Sequence, residues 1–182
     1  MSEISDRYRR LSSAFADKVS SVPPDRWEHP SPCEGWSTRD LVKHVVETQE
    51  MFQGFVGRTN GDIPSVDDDP VAAWDTARKA MQADLDDPEQ AQATYEGHFG
   101  NAVWEQSVDS YLNFDLVVHG WDLARAAGLD ETIPPEDLTW VAGRAEQMGD
   151  NLRLANVCGP EVEVPADADE QTKVLAILGR EA

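Results

Sequence analysis

The chain has 182 residues and sets 35 acidic side chains against 15 basic ones, for a formal net charge of −20. That length supports one domain with a sizeable core, and so acidic a surface repels phosphate backbones and anionic lipid, which argues against nucleic acid and membranes as partners. No stretch approaches the roughly 20 apolar residues of a membrane span, and the N-terminus carries no signal-peptide pattern. Cys33 and Cys158 are too few for a disulfide scaffold, so a reducing cytoplasm is the expected setting.

The apolar spacing predicts a mostly helical chain. A first helix, about Glu3 to Ser21, carries Tyr8, Leu11, Phe15 and Val19 in phase and stops before Pro23-Pro24. A loop rich in turn residues follows, holding Trp27, Pro30, Pro32, Cys33 and Gly35. The second helix opens on Ser37, with Asp40 three residues later as an acidic form of the capping box, and runs through Leu41, Val45, Phe52 and Phe55 toward Gly57. After a polar loop, a third helix from Pro70 to Leu85 places Trp74, Ala77, Met81 and Leu85 on one face. Residues 92–100 allow a short strand or an extended connector. A fourth helix, Ala102 to Ala127, puts Leu112, Leu116, His119, Leu123 and Ala126 together and ends at Gly128, a C-cap. A further helix holds Leu138, Val141, Ala145 and Met148, and a last short one covers Glu170 to Leu178 after an extended, proline-bounded tail. The expectation is a single all-α domain over 1–182, a four-helix bundle with a short C-terminal extension.

Two histidines stand where that pattern expects burial. His44 lies between Leu41 and Thr48, and His119 between Leu116 and Leu123. Each is flanked at helical spacing by carboxylates, Asp40 and Glu47 for the first and Asp115 and Asp122 for the second. Buried polar groups must satisfy each other or something between them. Two outcomes fit: a hydrogen-bonded His–Asp cluster, or a divalent ion held by an Asp/His pair four apart and a His from another helix.

The run from Pro32 to Val45, with Cys33, Gly35, Trp36, Asp40 and His44, resembles the first metal-ligand motif of the mycothiol-dependent maleylpyruvate isomerase N-terminal domain. The run Val118-His119-Gly120-Trp121-Asp122 through Ala126 is similar to the matching motif on the later helix, in the form used by short actinobacterial metal-binding proteins. The tail, with Gly159-Pro160, Val164-Pro165 and Leu178-Gly179-Arg180, resembles theirs as well. These proteins belong to the DinB-like superfamily of metal-binding four-helix bundles. The resemblance implies His44, Asp115 and His119 as ligands, with Asp115 standing where the isomerase has glutamate, and Asp122 and Glu47 as reserves. It implies a divalent metal, zinc first and nickel second, since two imidazoles and one carboxylate suit zinc. It further implies mycothiol as a thiol cofactor, an electrophilic small-molecule substrate, and pairing into a homodimer. The isomerase continues into a further domain, whereas this sequence ends in a short tail. The expected activity is therefore metal-dependent thiol S-transfer or an isomerase-like reaction, the alternative being a non-catalytic protein with a structural or sensed metal.

Other residues receive plainer expectations. Cys33 and Cys158 read as packing residues. His29 and His98 read as solvated loop histidines, although His98 could approach a bundle end as a fourth ligand. Arg125 is expected to pair with a surface carboxylate, and Trp36 and Trp121 to be core or pocket wall.

Overall fold

The computed structural model describes residues 2–97, 100–156 and 158–182. The chain is mostly helical and divides into two compact units, Met1–Glu131 and Thr132–Ala182. Among the described residues no helix is long and apolar enough to cross a membrane.

The first unit is the bundle. Helix α1, Glu3–Ser21, starts where the Ser2 side chain accepts from the Ser5 amide, and buries Tyr8, Leu11, Phe15 and Val19. Helix α2, Thr38–Phe55, starts at a reciprocal box in which Ser37 accepts from the Asp40 amide and Asp40 accepts from the Ser37 amide at 2.9 Å. Its buried stripe includes Leu41, Val42, Val45, Val46 and Phe52. Helix α3, Pro70–Asp86, begins with Asp69 as cap and a proline in the first turn, where no amide is missed. Trp74 of α3 packs edge-on against Phe15 at 4.9 Å and donates its indole N–H to the Ser12 carbonyl at 3.2 Å. A four-residue helix α4, Pro88–Ala91, follows.

The expected fourth helix is broken up at its start. Two strands, β1 Thr94–Gly97 and β2 Gly100–Val103, pair antiparallel, so Ala102 and Val103 belong to a strand. Trp104 then opens the four-residue α5, Trp104–Ser107, and donates to the Phe52 carbonyl at 2.8 Å, tying the end of β2 to α2. Next comes a π-helical turn, Val108–Asn113, and only then α6, Phe114–Ala127. The sequence shows why a wider turn fits. Trp104, Val108, Leu112 and Leu116 are all buried and lie four apart, a spacing that drifts by about 40° per step on a helix of 3.6 residues per turn. Locally wider winding offsets that drift and keeps all four inward. Gly128, in the left-handed conformation at φ 71°, caps α6 as expected.

Helices α1 and α2 each pack against both α3 and α6. The α2–α6 contact sets the two histidine-bearing helices side by side. In the second unit, α7, Pro135–Met148, buries Leu138, Val141 and Ala145, and α8, Glu170–Ile177, buries Val174, Leu175 and Ala176. A 3₁₀ segment, Gly149–Asn156, leads into the tail. There Gly179, at φ 77°, comes so near Gly159 that a Cβ would lie 2.9 Å from its carbonyl oxygen.

Because Ser37 holds both ends of the cap on α2, Ser37→Ala should cost about 1 kcal/mol of stability. A urea midpoint indistinguishable from wild type would show that the box contributes nothing.

Candidate metal centre

Three elements build the site. A tight turn between α1 and α2 is closed by Ser31 N–H to the Trp36 carbonyl at 2.8 Å and Trp36 N–H to the Cys33 carbonyl at 3.0 Å, with Gly35 at φ 79°. The Ser31 hydroxyl also accepts from the Cys33 amide at 3.2 Å. The turn thereby presents Trp36 and Cys33 on one side and delivers the chain into the Ser37 cap. Helix α2 contributes His44. Helix α6 contributes Asp115, His119 and Asp122.

These groups converge. The His44 and His119 rings lie edge to face at 5.2 Å, and Trp36 leans on His44 at 4.7 Å. His44 Nε2 is 3.9 Å from Asp115 Oδ2. One donor atom from each of His44, Asp115 and His119 lies within 4.8 Å of the other two. His119 is buried, but His44 and Asp115 keep 36% and 29% of their side-chain surface exposed. His44 thus sits at the margin of the α2 stripe, outside the fully inward position its phase suggested. Residues Val45, Val46 and Gln49 take the covered face instead.

His119 is fixed from behind. Its Nδ1 donates to Asp122 Oδ2 at 3.0 Å, and Asp122 is fully buried. That fixes the tautomer and leaves Nε2 as the ring nitrogen available to a cation. Cys33 completes the arrangement from the loop, its thiol donating to Asp122 Oδ2 at 3.5 Å with Sγ 4.0 Å from His119 Nδ1. Cys33 is half-buried and touches polar groups, so its expected role as a small packing hydrophobe is corrected. It neighbours His44 in sequence yet pairs with the residues around His119, and no local pattern signalled that.

The electrostatics of the two rings differ. For His119, burial opposes the charged form, but the hydrogen bond to Asp122, the Cys33 contact and the charges of Asp115 and Asp122 outweigh it, and the pKa is pushed up to about 10. His44 moves the other way, lowered by burial and then by the neighbouring His119, with Asp115 and Glu47 offsetting only part. The two rings thus differ in their hold on a proton, His119 above and His44 below the ordinary imidazole value.

The remaining candidates sort simply. Asp40 is consumed by the α2 cap, and Glu47 is exposed outside the cluster. Arg125 pairs with Glu131 at 2.9 Å and lies over the buried Trp121 ring. His29 meets Arg26 at 3.2 Å on the surface. Cys158 is buried in the second unit. His98 lies outside the described residues.

The chain belongs to the mycothiol maleylpyruvate isomerase N-terminal domain family, whose match covers residues 8–124 and therefore includes His44, Asp115 and His119. It is similar to two uncharacterised proteins of Mycobacterium tuberculosis, MT0763 of strain CDC 1551 / Oshkosh and Rv0738 of strain H37Rv. Each is 30% identical over 178 residues, covering 95% of this chain and 95% of the relative. No solved structure matches the chain.

The His119 shift carries a pH signature. A proton held more tightly in the folded state stabilises the fold fully below the ordinary imidazole value of 6.5, and that stabilisation is lost as pH rises toward about 10. Metal-free protein should therefore lose stability across that window, and Asp122→Asn should flatten the slope. Equal slopes in the two proteins, measured by urea denaturation with chelator present, would contradict the assignment.

Proposed function

We propose that His44, Asp115 and His119 hold one divalent ion, zinc first and nickel second, and that the protein uses it to transfer a low-molecular-weight thiol, mycothiol, to an electrophilic small molecule. The donor set fits such an ion: two imidazole nitrogens and a carboxylate oxygen, close enough to share one centre. An ion held by His44, Asp115 and His119 would supply a Lewis acid able to lower the pKa of an exogenous thiol and so make it nucleophilic. A thiol-assisted isomerisation uses the same parts.

The chain's own residues provide position and access. Asp122 holds the His119 ring in one tautomer, so the donating nitrogen needs no rearrangement. Trp36 packs its ring against that of His44 at 4.7 Å and so limits the ring's movement. The observation that carries the enzymatic reading is access: two of the three candidate ligands, His44 and Asp115, remain about one-third exposed. A structural ion is normally enclosed by four protein ligands. Family membership supports the thiol, since the family's name joins mycothiol to an isomerase.

His44→Ala and His119→Ala should each weaken zinc binding by more than the ~10–100-fold expected for losing an outer partner such as Asp122. Metal content and competition against a chromogenic chelator measure this. In a Cys33→Ser background, cobalt-loaded protein should then gain a thiolate-to-cobalt band on adding mycothiol, and less with glutathione. Tight metal binding with no response to any thiol would leave the ion structural or sensed and end the transfer reading.

A further inference from the structure

The imidazole of His119 has two faces, and the thiol reading uses only one. Behind it, Cys33 Sγ, Asp122 Oδ2 and His119 Nδ1 form a second group of potential ligands. Their separations are 3.0 Å for His119–Asp122, 3.5 Å for Cys33–Asp122 and 4.0 Å for Cys33–His119. A tetrahedral ion bonded at ~2.0–2.3 Å to N, O and S needs donor-to-donor edges of roughly 3.3–3.6 Å, so each separation lies within about half an ångström of a tetrahedral edge. Asp122 is fully buried and His119 nearly so. Cys33 is brought in by the Ser31–Trp36 turn, from a different part of the chain.

We propose that this rear face is a second cation site, selective for a thiophilic divalent ion such as cadmium or zinc. Thiolate and imidazole favour such ions over magnesium or calcium, which take oxygen ligands. Binding forms one bond each from sulfur, nitrogen and oxygen to the ion, and it releases the Cys33 thiol proton and the His119 Nδ1 proton to solvent. It also removes the hydrogen bond by which Asp122 orients His119. A cation behind the ring therefore disturbs the front group of His44, Asp115 and His119, which gives the protein a way to respond to soft metals. The proposal does not depend on thiol transfer, nor on His44 being a ligand.

The test is an anaerobic cadmium titration of the full-length protein in a phosphine reductant, followed by its thiolate-to-cadmium absorption and by cadmium NMR. One equivalent should produce the band, and the NMR shift should report a single sulfur ligand. The band should survive in His44→Ala and Cys158→Ser, disappear in Cys33→Ser and Cys33→Ala, and need at least ~10-fold more cadmium in Asp122→Asn. Far-ultraviolet dichroism of each variant checks folding, and the wild-type NMR shift is independent of any substitution. A wild-type titration without a thiolate band, or a band that persists without Cys33, overturns the proposal. Because His44→Ala removes the front group and spares the rear one, failure of one reading is distinguishable from failure of the other.

Discussion

A polar ring sits in the most apolar stretch of α6, and the site depends on how that ring is satisfied. His119 lies among Leu116, Val117, Val118, Leu123 and Ala124, all buried. An imidazole there would cost free energy without a partner. Asp122, one turn on, accepts its Nδ1 proton at 3.0 Å, and the buried carboxylate gains a donor in return. Each group justifies the burial of the other. Because the bond fixes the ring's orientation, it also fixes where Nε2 can act, and so local packing and the chemistry of the site rest on one interaction.

The bundle positions the remaining groups around that ring. Helix α2 packs on α6, and the cap at Ser37 starts α2 immediately after the turn that presents Trp36. His44 is then two helical turns into α2 and meets Asp115 across the interface. The π turn Val108–Asn113 ends just before Asp115. Such wider turns are frequent at functional sites, where they shift the phase of the residues that follow. Here the turn lets an inward row spaced by four join the 3- and 4-residue spacing of α6, and it does so without breaking the helical path.

Much of this was legible in the sequence, and the limits have physical causes. The helix ends at Ser37 and Gly128 follow from side-chain capping and from glycine's left-handed freedom, which are local effects. The rows of Tyr8, Leu11, Phe15 and Val19, and of Trp74, Ala77, Met81 and Leu85, fall on the covered faces because periodicity reports burial directly. The pairing of β1 with β2 has no sequence signal that sets it apart from a connector, because two-stranded pairing is decided by tertiary contacts such as Trp104 on Phe52. The π turn carries no signal of its own, because a row spaced by four also fits one ordinary helix. At the site, the grouping of His44, Asp115 and His119 came from the family motifs, whereas Cys33 behind His119 is a meeting of residues 86 apart with no sequence signal. The partial exposure of His44 has no sequence signal either, since phase along α2 does not tell how closely α6 covers its margin.

The central claim is that His44, Asp115 and His119 share one divalent ion, and X-ray absorption of zinc-loaded protein, backed by a crystal structure of that form, tests it most directly. The account predicts two imidazoles and a carboxylate oxygen at roughly 2.0–2.2 Å from one centre, with a non-protein ligand completing the shell. Zinc held by other residues, or a His119 that keeps its Asp122 bond while no ion binds on the Nε2 side, would contradict it.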